Sequence, residues 1–253
     1  MNKFLGLLKR EHMINGSYTY LVLAVIVLTI TFMPIGMEKI NPVYIEGEMR
    51  FLLVVFCAIA IGINAVIATI TSINKDVKIK ELWLHTTHSI YSLIGVKIVY
   101  QLFALLVIGF VNFIGLFFVG EILSGTVLQY IVLALIYFYL LGVGYLMFVV
   151  CIIFINSLTK QLSVWVGKLS SVIVFVGVIM LISFSDKTLD FTFLQIGPIN
   201  FSSLEKYLPT FNSESISIST IVEIYVVEEI VITIILIVVY VVACKWLERV
   251  ITR

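Results

Sequence analysis

Residues 75–97 read K-D-V-K-I-K-E-L-W-L-H-T-T-H-S-I-Y-S-L-I-G-V-K and stand between two long apolar runs. They mix the charges of Lys78, Lys80 and Glu81 with Leu82, Trp83, Leu84 and Ile90, and they add the small polar group His85, Thr86, Thr87, His88 and Ser89. A solvated linker has no use for that apolar content. Tryptophan and paired leucines beside charges are what a docking surface needs, the apolar groups anchoring and the charges selecting the partner. The other use of Trp83 is at the lipid headgroups, where indole rings gather. His85 and His88 stand three apart and could approach one metal ion, but no cysteine or carboxylate completes a ligand set, so no metal is expected.

Other chemistry is missing from the chain. The sequence has no G-x-x-x-x-G-K-[ST] loop to cradle nucleotide phosphates and no H-E-x-x-H pair, and no aspartate lies deep in an apolar run. No catalytic residues are expected, and any energy for work must come from another protein. Cys57, Cys151 and Cys244 all fall inside apolar runs. They read as buried small hydrophobes, with lipid attachment at Cys244 as the alternative.

The elements that hold these residues are set by composition. Of 253 residues, 61% are hydrophobic and 12% charged, half the charge of a typical soluble domain. Apolar runs of about 20 residues match the thickness of a bilayer. The expected fold is an all-α polytopic membrane protein of one permease domain, 1–253, with six transmembrane helices over about 18–37, 51–73, 98–119, 127–155, 164–184 and 226–244. Ahead of them, residues 1–15 divide Phe4, Leu5, Leu7, Leu8 and Ile14 from Lys3, Lys9 and Arg10, with Glu11 spoiling the apolar edge. That suits an N-terminal interfacial amphipathic helix or a basic flank to the first span. The first run ends in M-P-I-G-M without a small-x-small cleavage pattern, so it is expected to remain.

Within the spans, Ala58, Gly62, Ala65 and Ala68 suggest a face for close helix contact, as do Gly167 and Ser171. Gly142 and Gly144 could permit a bend. Asn64 and Asn112 are candidate path-lining residues, the amide of Asn64 serving either an interhelical hydrogen bond or a substrate. The interval 185–221 carries charges, prolines and a Ser/Thr run together with F-T-F-L-Q-I, which suggests a re-entrant-like outer connection before the last span.

Orientation follows from lysine and arginine. Lys3, Lys9, Arg10, Lys75, Lys78, Lys80, Lys97, Lys160, Lys168, Lys245, Arg249 and Arg253, twelve of the sixteen, share one side with both termini. Eleven of the fifteen acidic residues fall on the other, so both termini are expected in the cytoplasm. Charges divided this way leave no patch for nucleic acid. Glu223, Glu228 and Glu229, at the outer start of the last span, are either interfacial or a candidate outer gate.

The stretch E-L-W-L-H-T-T-H-S-I-Y-S-L-I-G-V-K resembles the first intracellular loop of type-2 ABC exporter permease subunits. There an acidic residue precedes a leucine pair, a Thr/Ser-Pro-like turn, a small polar residue, and G-x-K entering the third helix. Glu81, Leu82, Leu84, Thr86, Ser89, Gly95 and Lys97 match, while Thr87 stands where proline is frequent. Size and compact loops are similar to bacterial peptide-exporter and lantibiotic-immunity permeases, including those exporting phenol-soluble modulins.

The resemblance implies a multi-pass protein of the bacterial cell membrane with a cytoplasmic coupling helix between helices 2 and 3. It implies the transmembrane subunit of an ATP-driven exporter of amphipathic peptides or other hydrophobic cargo. It further implies a second permease, copy or sister, and a cytoplasmic ABC ATPase subunit that binds ATP and Mg and docks on 75–92. Two alternatives stay open: a secondary transporter, and a non-transporting immunity or sensor protein.

Overall fold

A backbone in hydrocarbon must satisfy its own hydrogen bonds, and the apolar runs do so as helices. The computed structural model describes residues 3–40, 46–78, 89–115, 123–188, 198–199, 210–211 and 224–252. Among them the α-helices are α1 (Lys3–Ile40), α2 (Glu46–Lys78), α3 (Ile90–Ile114), α4 (Val127–Val166), α5 (Ser170–Thr188) and α6 (Val226–Thr252), with a 3-10 turn at Gly167–Leu169. Among the described residues five stretches are long and apolar enough to cross a membrane: Phe4–Met33, Phe51–Val77, Ile90–Ile114, Val127–Met180 and Val227–Val250. The Val/Ile-rich last run is helical throughout, as an isolated run in lipid requires.

Two expected boundaries are absent. The amphipathic opening and the first span form one uninterrupted helix, α1. The expected loop at 156–163 is also helical, inside α4, which at 1.5 Å per residue is roughly 60 Å long. Its polar residues are accommodated without a break, their hydroxyls satisfied one turn back: Ser157 Oγ donates to Phe154 O (2.8 Å), Thr159 Oγ1 to Ile155 O (2.8 Å) and Ser163 Oγ to Lys160 O (2.7 Å). The predicted fourth and fifth spans therefore share one apolar stretch of 54 residues. Gly142 and Gly144 lie within the same unbroken helix.

The chain divides into two compact units. The first holds residues 1–69, 96–146 and 201–222, and the second 70–95, 147–200 and 223–253. In the first, Leu123–Ser124 (β1) pairs antiparallel with Thr210–Phe211 (β3). In the second, Pro198–Ile199 (β2) pairs antiparallel with Ile224–Tyr225 (β4). Beyond Thr188, β2 and β3 are the described parts of the outer connection, so its re-entrant-like character lies outside the described residues.

On α2 the faces separate by helical spacing. Val54, Cys57, Ile61, Ala65 and Thr69 are buried, whereas Phe56, Ile59, Ile63 and Ile67 form an exposed stripe. The expected close-contact face is met only in part: Ala65 is buried, but a Cβ on Gly62 would find no described atom within 4 Å. The packing stripe uses the larger neighbours instead. Of the cysteines, Cys57 and Cys244 are buried and Cys151 is exposed, a correction to the expectation for all three. Its position in α4 faces away from the packed side.

Gly167 has φ +62°, open space around its missing side chain, and no close helix contact, while Ser171 is exposed. Its role is conformational, ending α4 in the left-handed region that L side chains avoid. Gly167→Ala is expected to destabilise the protein by about 1–2 kcal/mol, the cost of that region for a residue with a Cβ. Denaturant unfolding in detergent micelles measures it, and unchanged stability would mean that the turn relaxes to another conformation.

Candidate functional site

The described structure puts its buried charge between α1 and α3. Lys97 Nζ donates to Glu11 Oε1 at 2.9 Å, with 3% and 5% of the two side chains exposed. Burying either charge alone costs several kcal/mol, so each is tolerable only because the other is present. Further hydrogen bonds hold the carboxylate in place. Asn15 Nδ2, one turn along α1, donates to Glu11 Oε2 (3.1 Å). Thr19 Oγ1 then donates to Asn15 O (3.1 Å) and lies 3.3 Å from the hydroxyl of Tyr100, which also stands 3.5 Å from His12 Nδ1. His12 packs its ring against Tyr20 and Tyr100.

These residues meet because helical spacing stacks them. Glu11, Asn15 and Thr19 are four apart on α1, and Lys97, Tyr100, Gln101 and Ala104 form the facing stripe of α3. α3 is the most enclosed helix, with 56% of its most apolar window buried against 28% or less for the other stretches. Farther along α1, the Tyr18 hydroxyl donates to Asn64 Oδ1 of α2. Asn64 thus makes an interhelical bond, one of the two uses expected of it. The Tyr145 hydroxyl of α4 completes the polar contacts of this side, 2.8 Å from Thr69 Oγ1 and donating to Ile98 O (3.1 Å).

Asn112 is fully buried, its Nδ2 donating to Val54 O (2.9 Å) and the Tyr137 hydroxyl (2.9 Å), while its Oδ1 has no partner among the described residues. It sits beside Phe113 and Tyr137, whose rings pack 5.5 Å apart between centroids.

In the second unit, the ends of the predicted docking segment are fastened. Asn74 Oδ1 accepts from Asn156 Nδ2 (2.9 Å) and Lys160 Nζ (3.0 Å), tying the end of α2 to α4. The Tyr240 hydroxyl of α6 donates to Tyr91 O (2.8 Å) in the first turn of α3. α6 can pass that close because Gly95 presents no side chain: a Cβ there would stand 3.3 Å from the Tyr240 hydroxyl. Trp246 of α6 stacks on Phe154 of α4 at 5.2 Å.

Of the predicted docking residues, Lys78 ends α2 and Ser89 precedes α3. Ser89 is a helix cap, its Oγ accepting from Ser92 N (3.4 Å) and its carbonyl from Leu93 N (3.2 Å). Lys80, Glu81, Leu82, Trp83, Leu84, His85, Thr86, Thr87 and His88 lie outside the described residues, as does Glu223. Glu228 and Glu229 occupy the first turn of α6, partly exposed, where the positive end of the helix dipole favours carboxylates. Among the described residues no three side chains are grouped to hold a metal ion.

The Glu11–Lys97 pair escapes the sequence because its halves are 86 residues apart, one looking like a flaw in an amphipathic edge and the other like part of a loop motif. The available signal was two lone opposite charges, each at the margin of an apolar run.

Comparison with protein-family models, curated proteins and solved structures finds no match to the chain. What the fold and the apolar helices define is a class, the multi-pass α-helical membrane proteins.

Lys97→Met alone leaves a buried carboxylate uncompensated and is expected to cost about 3–5 kcal/mol. Combined with Glu11→Leu it is expected to recover most of that loss. Thermal unfolding of the three variants in detergent measures the coupling, and equal losses in single and double variants would show the two groups to be independent.

Proposed function

We propose that the chain is the transmembrane subunit of an ATP-driven exporter of amphipathic peptides or other hydrophobic cargo, driven by a separate cytoplasmic ATPase that docks on residues 75–92. The observation that carries this reading is the fastening of both flanks of that segment, at Asn74 to α4 and at Tyr91 to α6. A force applied to the segment would therefore reach α4 and α6 through side-chain contacts as well as through α2 and α3. Trp83, Leu82 and Leu84 serve as the apolar anchor and Lys78, Lys80 and Glu81 as the selecting charges. The sequence contains no phosphate-cradling loop of its own, which is why an outside motor is invoked.

In the same proposal the 54-residue stretch crosses the membrane twice, reversing near Gly167, so that there are six crossings with both termini in the cytoplasm. The distribution of lysine and arginine supports that orientation. A second permease, the same chain or a sister, completes the path. ATP and Mg belong to the ATPase, and the permease transmits work only if the motor binds its two conformations with different affinity.

A secondary carrier is the second reading, favoured by the charged pair buried between α1 and α3. Intramembrane ionisable groups are what ion coupling requires. Against it, the pair is mutually neutralised and bonded to Asn15.

Affinity purification of the tagged chain from its native membrane is expected to bring down an ATPase. Trp83→Ala and Glu81→Ala should each remove most of it while leaving the chain in the membrane. Ion-gradient-driven uptake by the chain alone in vesicles, with no ATPase recovered, would replace the exporter by the carrier.

A further inference from the structure

A small cavity lies in the first unit where α1, α2 and α3 converge. Its polar wall is Tyr18 and Thr19 of α1, Asn64 of α2 and Gln101 of α3, and the remainder is apolar, including Ile61 and Leu105. Its volume is about 10 Å³, close to the space one water molecule needs. We infer that this cavity is a binding site for a single water molecule, held between the side-chain amides of Gln101 and Asn64.

The hydrogen-bond inventory points to a guest. Gln101 is 94% buried, and among the described residues its side-chain amide makes no hydrogen bond. A buried amide left that way costs about 1–3 kcal/mol, and ordered water is the usual remedy. On the opposite wall, the Tyr18 hydroxyl occupies Asn64 Oδ1, which leaves the Asn64 NH₂ group with donors unspent. Thr19 Oγ1 has given its proton to Asn15 O. The cavity therefore presents two amide NH₂ groups, the Gln101 carbonyl and lone pairs on the Thr19 hydroxyl. A guest with both donors and acceptors satisfies that set, and water has two of each.

A sodium ion is the competitor of similar size. It would demand oxygen ligands on every side and, in an apolar surround, a compensating negative charge. Among the described residues no carboxylate lines the cavity, and Glu11, the acidic group on the neighbouring part of α1, is neutralised by Lys97. The two free donors of Asn64 would face the cation. Charge balance thus selects a neutral guest. The site stands independently of the transport reading, since it rests on packing within one unit.

Water-edited solid-state NMR of the full-length protein in lipid bilayers, with ¹⁵N-labelled glutamine and asparagine side chains, tests the site. The Gln101 amide is expected to receive magnetisation from water at short mixing times in the unaltered protein. Ala104→Val narrows the wall and Thr19→Val removes its hydroxyl without touching either amide. Either is expected to abolish or strongly weaken the Gln101 signal, so the test does not depend on one variant folding. Absence of transfer to Gln101 in the unaltered protein would overturn the assignment. So would a shift of its resonance when sodium replaces choline at constant ionic strength, which would mark a cation site instead.

Discussion

A carboxylate and an ammonium that leave water together impose a geometry that apolar side chains alone would not. Hydrophobic and dispersion contacts between helices tolerate sliding and rotation, because one leucine packs about as well as another. The 2.9 Å contact between Glu11 and Lys97 does not, since a small displacement leaves two buried charges without their partners. It fixes how far along α3 the first turns of α1 lie. The bonds that follow, from Asn15 to Thr19 and Tyr100, extend that register for two turns of α1. The cavity beside Gln101 lies at the far end of the same line of contacts, where the supply of paired polar groups runs out.

Much of the helical layout was legible in the sequence because the bilayer restricts the answer. A run of about 20 apolar residues in lipid has little choice but to be a helix, and the described runs are helical. The helix ends were harder to see. Residues 156–163 contain asparagine, two serines, threonine, lysine and glutamine, which reads as a loop. The helix accommodates them: the hydroxyls donate to carbonyls one turn back, and Asn156 and Lys160 have a partner in Asn74. Composition reports how polar a segment is, but not whether another helix stands ready to receive it.

The polar contacts were less legible for the same reason. Asn64 was recognisable as an interhelical group, but its partner Tyr18 was not, and Glu11 and Lys97 are distant in sequence. Packing stripes were misjudged where small residues suggested close approach. On α2 the buried side follows Val54, Ile61 and Thr69, and Gly62 faces open space. Glycine permits contact without compelling it, and at Gly95, where Tyr240 does approach, the sequence signal looked no stronger.

The continuity of α1 from Lys3 to Ile40 has a mechanical corollary. With no joint between residues 3–15 and the apolar run that follows, the opening cannot swing on a hinge of its own. Any tilt it adopts is carried along the roughly 45 Å of helix that lead to Pro34, at 1.5 Å per residue, before a proline can bend the axis. The Glu11–Lys97 contact ties that helix to α3 near one end, so a displacement at the contact is felt by the turns that follow it.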